Sequence, residues 1–477
     1  MSEAVSTESE NSEFSLFKHF WSLYLLGGFQ SLAYAGFTIL IVPLSLIMWP
    51  DEPYHALEIG ILVSVLFWIS SLTGLIFGVL IDRFSRKKII FIISIFRSFS
   101  MAMLGFAIEG QGFNTWLYFL VMVSIFAAFA GGSWPSIISL SNDIVPKDYR
   151  SRFFGALGIW MGLFTTLGFL AASIFVQYGF WREYFFGLGA AIFISGLIFL
   201  FQTDEPKRGA QQEELKHILK HDDIEYDFEI NIETLKNIML SKTNIAALVE
   251  GISSSILMGS AVLLVLPYIQ TPPHNLSPIF TAVFMIVFGL TAGLVGQIIF
   301  GKLSDKVCKE HPIRRIYFII ISIIGGFVAF ISIFFIPLPH LTVEQGNDIL
   351  YLFSLPVVWL MGILMFISNA VDTLFKINQG PLLQEINLPE AQGKMTSWNQ
   401  LVENTGMGIG ALLVGVLLFV TGANYQLTIL ILTVFIIPGI IVWFLTLKWY
   451  PKDAEQVKKI LEERAKILES RKNNNIY

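Results

Sequence analysis

Apolar positions in this chain fall in long unbroken runs, not at the two-residue period of strands. Twelve such runs can be read, at about 20–49, 58–81, 88–108, 115–141, 153–176, 183–202, 243–269, 277–300, 314–337, 349–376, 395–420 and 425–448. A helix rises 1.5 Å per residue and the hydrocarbon layer is about 30 Å thick, so about 20 apolar residues cross it. The pattern therefore predicts twelve transmembrane helices in an all-α polytopic membrane protein. An outer-membrane barrel would show short alternating segments instead.

The one long polar interruption, 203–242, divides the runs six and six. Its stretches 213–220 and 233–239 could form short surface helices on a solvated linker. Expected domains are a cytoplasmic tail 1–19, a six-helix bundle 20–202, the loop 203–242, a second bundle 243–448 and a tail 449–477. The first tail carries Glu3, Glu8, Glu10 and Glu13, with no basic n-region or cleavage site, so it is expected to be retained. In the last tail Val457, Leu461, Ala465 and Leu468 repeat near helical spacing. They predict an amphipathic helix on the inner surface or against the protein.

Composition agrees. The hydrophobic set is 54%, charged residues are 14% and the mean hydropathy is +0.67. Soluble domains carry about 25% charged residues, so a soluble globular chain is excluded, as is a disordered one. A single cysteine, Cys308, excludes a disulfide scaffold. The net charge of −5 offers nothing to a nucleic acid.

The basic residues are distributed unevenly. With the N-terminus inside, 28 of the 31 Lys and Arg fall on the inner side. Only Arg182 falls outside, and Arg97 and Lys376 lie within runs. Both termini are then cytoplasmic, in a multi-pass cell-membrane protein.

The two halves repeat each other. Gly78-x-Leu-x-Asp82 recurs as Gly301-x-Leu-x-Asp305, at an offset of 223. At an offset of 242, Asp143 to Arg152 matches Glu385 to Lys394: an acid, an Ile, a Pro-containing turn and a base. Gly168 and Gly410 match at the same offset. A parallel repeat of six spans is one way to build a transporter around a midplane cavity.

Gly78 to Lys88 resembles the signature loop between spans 2 and 3 of the major facilitator superfamily. Gly179-Phe-Trp181-Arg182-x-x-Phe185 resembles a turn found before span 6 of that family. The resemblance covers about 20–450 and implies two pseudo-symmetric six-helix bundles rocking about a shared pocket. There is a departure: Ser85 stands where the family has its second Gly. Around Gly155, Gly158, Gly162 and Gly168 the chain also lacks the Gly-Pro pair of drug/proton antiporters.

The resemblance implies that Asp82 meets the start of span 11 of the other half, here Lys394–Trp398. By the repeat, Asp305 would face the start of span 5 near Arg150–Phe153. Arg83, Arg86 and Asp143 would complete the charge network of this inner gate. An acid at a helix N-terminus gains about 0.3–1 kcal/mol. Gly78, and Gly301 by the repeat, would let neighbouring backbones approach. Lys87 and Lys88 serve topology alone.

Ionisable groups inside spans cost about 2.5–3.5 kcal/mol at the bilayer centre, so each suggests a function. Arg97 sits mid-run and could attract an anionic headgroup or pair with an acid of another span. Asp372 and Lys376 share a helix face at i and i+4, and Glu403 could compete for Lys376. These three read either as a coupling acid or as a salt bridge fixing span 10 to span 11. Glu250 has no basic neighbour in sequence, which makes it the better coupling candidate; otherwise it is solvated near the inner mouth.

Cavity candidates on spans 1, 4, 7 and 10 are Gln30, Tyr34, Trp134, Ser254 (flanked by Ser253 and Ser255) and Asn369. Such a lining suits a neutral or amphipathic organic solute. There is no nucleotide-binding Gly-x-x-x-x-Gly-Lys-Ser/Thr loop, zinc spacing or nucleophile elbow. No cofactor, metal or enzyme activity is expected.

The sequence thus suggests a monomeric secondary transporter of a small solute in the bilayer, driven by protons, sodium or the solute's own gradient. Alternatives are a lipid-like amphiphile transporter or scramblase, and a non-transporting sensor or adaptor.

Overall fold

The computed structural model describes residues 2–145, 150–205 and 238–474. Side chains are described from residue 20 onward, apart from Asp82, Asn142, Asp143, Arg150, Ser151, Pro389, Glu390, Gly393, Ala465 and those after Lys466. The surface helices expected at 213–220 and 233–237 lie outside the described residues. Among those described, every regular element is a helix.

The helices are α1 Ser2–Ile39, α2 Ile41–Met48, α3 Ala56–Arg83, α4 Arg86–Leu104, α5 Phe113–Ile144, α6 Arg150–Gln177 and α7 Trp181–Gln202. Then come α8 Lys242–Gln270, α9 Pro278–Phe284, α10 Thr291–Cys308, α11 Arg314–Ile333, α12 Val343–Asn347 and α13 Ile349–Ser354. The last are α14 Pro356–Glu385, α15 Pro389–Val420, α16 Tyr425–Leu432 and α17 Ile437–Asn474.

Among the described residues, ten helical spans are long and apolar enough to cross a membrane, or eleven with the bent pair α1 and α2 counted as one. The expected run 20–49 is therefore not straight: it bends by 61° at Leu40. Pro43 explains the bend, because a proline lacks the N–H for its i−4 carbonyl and its ring clashes there, at Ile39. The expected third span is α4, whose Arg86, Lys87, Lys88 and Arg97 crowd nineteen residues with charge. It does not meet the same criterion. The expected eighth span is interrupted by a π-helical stretch, Met285–Leu290.

The chain divides into two compact units, Met1–Tyr54 with Val65–His221, and His55–Ser64 with Asp222–Tyr477. In the first unit α1 packs on α6 and α7, and α4 on α5 and α7. Phe20, Leu23, Tyr24, Ile137, Phe153 and Phe199 belong to one of its apolar clusters. In the second unit α8 packs on α15 and α17, and α14 on α10 and α11.

The repeat is physical as well as textual. A Cβ on Gly168 would lie 2.6 Å from the Leu32 carbonyl oxygen, and one on Gly410 would lie 1.9 Å from that of Ile256. Each unit thus closes its span 1–span 5 equivalent through a glycine at the helix crossing. Gly78 and Gly301 do not make the close approach expected of them: a Cβ there meets no atom within 4 Å. One turn before Gly78 on α3, a Cβ on Gly74 would lie 3.3 Å from the Gly131 carbonyl oxygen.

α17 runs on from its apolar part to Asn474, so the expected tail continues a spanning helix. It packs against the second unit through buried Val457, with Ile238, Leu388 and Ile460. Tyr450 donates to Glu385 at 2.6 Å, and the Thr243 amide donates to Asp453 at 2.9 Å.

Candidate functional site

At the basic end of the first unit, the turn between α3 and α4 holds a charge network. Ser85 caps α4 by accepting from the Lys88 amide at 3.3 Å, and its hydroxyl donates to the Glu205 carboxylate. The Arg86 amide donates to Glu205 at 2.7 Å and its Nε at 3.4 Å, while Nη1 reaches the Ser139 carbonyl at 3.3 Å. Arg86 is buried and Arg83 exposed. The side chains of Asp82, Asp143 and Arg150, expected here, lie outside those described.

Ser85 therefore does what a glycine could not: it supplies a helix cap and a donor to Glu205. Glu205 went unremarked in the sequence, although an acid ending run 183–202 beside a basic loop is a readable signal. Burial opposes the Glu205 charge, but the Ser85 hydroxyl and the Arg86 amide and guanidinium outweigh it and hold its pKa below the usual 4.5.

A folded-state carboxyl pKa that is lowered gives stability above its unfolded value, lost as pH falls through the folded one. Glu205→Gln is therefore expected to lower stability at neutral pH by about 1 kcal/mol. That gap should close as the pH falls through and below the usual carboxylate range. Melting curves of both proteins across pH check this; a gap independent of pH would remove Glu205 from the network.

The second unit has a matching tie. Arg315 donates to the Asn378 side chain at 3.4 Å, and Asn378 donates to Ser304 at 2.9 Å. Both Ser304 and Asn378 are fully buried, and neither was singled out from sequence. Asp305 and its neighbours Lys302 and Lys306 are exposed.

The turn that resembles the family's span-6 entry also has a local role. Gly179 takes φ +80°, which glycine tolerates. Arg182 then donates to the carbonyls of Gly105 and Ala107 at 3.1 and 2.7 Å, just past the end of α4. A cation there complements the helix dipole.

Deeper in the second unit, Glu250 is completely buried. Its carboxyl accepts from the Ser254 hydroxyl one turn along α8 and from the Gln379 amide of α14 at 3.3 Å. Gly439 of α17 leaves it room, with a Cβ there 3.5 Å from the Glu250 Cγ. This burial overturns the reading of Glu250 as solvated at an inner mouth. Glu403 of α15 lies beside it, its Cγ 3.6 Å from the Cβ position of Gly251. Asp372 and Lys376 pair at 2.7 Å on one face of α14, both substantially exposed. Lys376 also acts electrostatically on Glu403, and Glu403 and Asp372 act on Glu250. The expected acids and lysine thus come together on α8, α14 and α15, with Gln379 as the member sequence missed.

In the first unit Arg97 of α4 is buried, its Nη1 donating to Ser133 of α5 at 3.1 Å. Its guanidinium carbon stands 4.6 Å from the centre of the Phe126 ring. Tyr34 of α1 interacts with it electrostatically and meets Phe126 edge-on at 5.8 Å. Trp134 is part-exposed, Gln30 and Ser254 half-buried, and Asn369 donates back to Met365 of its own helix at 2.9 Å. Among the described residues no group of His, Cys, Asp and Glu could hold a metal ion.

A family model of the Major Facilitator Superfamily matches residues 24–375. The chain belongs to that superfamily. Solved structures of similar fold include a bacterial homologue of the human lysosomal transporter Spinster, inward-facing and unoccupied. It shares 15% identity at a TM-score of 0.68, over 92% of this chain and 98% of that one. The peptide transporter POT, in complex with sulfate, gives 14% and 0.64 over 92% and 95%. The nucleoside transporter NupG gives 12% and 0.58 over 89% and 98%. At these identities the likeness is one of fold. As a superfamily member this is a multi-pass α-helical membrane transporter.

Proposed function

We propose that this transporter moves a small organic solute by alternating access, with Glu250 as the group that couples transport to protons. The observation carrying this is the setting of Glu250: fully buried, held by the neutral donors Ser254 and Gln379. Among the described residues no basic group lies within ion-pair distance of it. A carboxyl so placed can gain or lose a proton without breaking an ion pair, and a buried ionisable group must otherwise justify its cost. Glu403 and Asp372 act on it as neighbouring charges.

Twelve spans, a monomer and cytoplasmic termini in the cell membrane complete the reading, supported by the apolar runs and by the bias of Lys and Arg. The signature-loop residues Asp82, Arg83, Asp143, Arg150 and Asp305 form the inner gate, with Arg86 braced by Glu205. Two-state elements of this kind are biased by a few kcal/mol.

Reconstituted vesicles test the reading. Solutes that raise the melting temperature of the purified protein in a library screen are loaded inside, and labelled solute is added outside. Saturable uptake with counterflow is expected. Gradient-free equilibration of labelled lipid would indicate a scramblase, and binding without flux a sensor; either would displace this proposal.

A further inference from the structure

The first unit contains a buried charge that its own spans do not balance. Runs 20–49, 88–108, 115–141 and 153–176 hold no acidic residue, and Glu58 and Glu183 only open the other two. Arg97, 1% exposed, lies in the middle of this. Among the described residues it has no carboxylate within 4.0 Å.

Its donors are used unequally. Nη1 is taken by Ser133, but Nε and Nη2 are buried without a hydrogen-bond partner. Those two N–H groups form one edge of the guanidinium and point the same way. That edge is the one that receives two oxygens of a carboxylate or phosphate in parallel. Buried donors left open together call for a ligand, an ion or water. The flanking groups are aromatic: the Phe126 ring under the guanidinium and, meeting it, Tyr34, which is 38% exposed.

We propose that the Nε–Nη2 edge of Arg97 binds the oxyanion, carboxylate or phosphate, of a molecule whose apolar body rests on exposed Tyr34, with the Phe126 ring fully buried beneath the guanidinium. For transport this names the substrate class, and to that extent it rests on the reading above; the binding itself does not. A single anionic group on an apolar body also fits a membrane-embedded site better than a multiply charged solute.

The test uses the full-length protein in phosphatidylcholine nanodiscs, with binding read by melting shift and calorimetry. The probes are benzoate, phenyl phosphate and neutral benzamide. Benzoate or phenyl phosphate is expected to raise the melting temperature saturably and benzamide to leave it unchanged. Arg97→Gln should weaken that binding at least about 30-fold. Arg97→Lys keeps the charge without the fork and should bind more weakly than the wild type; it carries the same test if Arg97→Gln does not fold.

A second set of nanodiscs contains phosphatidylglycerol. If these stabilise the wild type but not the Arg97 variants while benzoate has no effect, the oxyanion comes from a lipid headgroup and the proposal holds. It is overturned if no anion and no anionic lipid shifts the protein, or if the shift survives in both Arg97 variants. It is equally overturned if Asp372→Asn or Glu403→Gln restores stability lost in Arg97→Gln, since the counter-charge would then be the chain's own. Arg97-dependent binding without flux would leave this site standing and remove the transport reading. Flux of a solute with no Arg97-dependent binding of any anion would do the reverse.

Discussion

Glu250→Gln is expected to abolish accumulation driven by a pH gradient while leaving solute exchange in place. Gln keeps the shape of the side chain, still accepts from Ser254 and still meets Gln379, so the packing of α8 against α14 and Gly439 should survive. What it cannot do is carry a proton. One charge crossing 100 mV is worth about 2.3 kcal/mol, enough to concentrate a solute about fifty-fold. That gradient should collapse to equal concentrations in the variant, while labelled solute still exchanges across the vesicle wall. The check is uptake under an imposed pH gradient beside exchange at equal pH. Accumulation intact in Glu250→Gln would exclude Glu250 from coupling and direct attention to Glu403, the acid beside it.

Gly410→Ala should cost more stability than the same change at Gly168, Gly78 or Gly301. The added Cβ would fall 1.9 Å from the Ile256 carbonyl oxygen, a backbone atom that cannot rotate away. α8 and α15 would have to separate along their contact. Overpacking of this kind costs about 1–3 kcal/mol, occasionally more, against a total of about 5–15 kcal/mol. Gly168→Ala acts in the same direction with less force, because its nearest atom is 2.6 Å away. Gly78→Ala and Gly301→Ala meet open space and gain about 1 kcal/mol of helix propensity, so they should be neutral or slightly stabilising. Melting temperatures of the four purified variants decide this. A larger loss in Gly78→Ala than in Gly410→Ala would mean that the glycine of the signature loop carries the packing after all.

Much of the fold was legible because a bilayer allows so few solutions: runs of apolar residues must be helices with every backbone group paired inside the segment. The offset that joins Gly168 to Gly410 marked equivalent positions, and both turn out to be crossings of the same pair of elements. Reading by apolar content alone missed the break at Leu40, although Pro43 was in view. Run 88–108 falls in α4, where Arg86 and Lys87 extend the helix before the run and add charge to it.

The site was half legible. Charge inside a run identified Arg97, Glu250, Asp372, Lys376 and Glu403, since hydrocarbon makes each of them expensive. Depth along a run does not give rotation about the helix, so the burial of Glu250 and the open edge of Arg97 needed coordinates. Partners distant in sequence were invisible: Arg86 and Glu205 are 119 residues apart, Glu250 and Gln379 129 apart. Ser85 looked like a defect in a motif until its two hydrogen bonds were seen.

Alternating access can be measured most directly by the reactivity of single cysteines at the cavity candidates. The chain makes this convenient, with one native cysteine, buried Cys308. Gln30→Cys and Asn369→Cys in a Cys308→Ser background, in oriented vesicles, are exposed to a membrane-impermeant thiol reagent from one side and then from the other. Both positions should react from either side, and Asp82→Asn should speed the reaction from the inside and slow it from the outside. Reaction from one side only, unmoved by Asp82→Asn, would contradict alternating access.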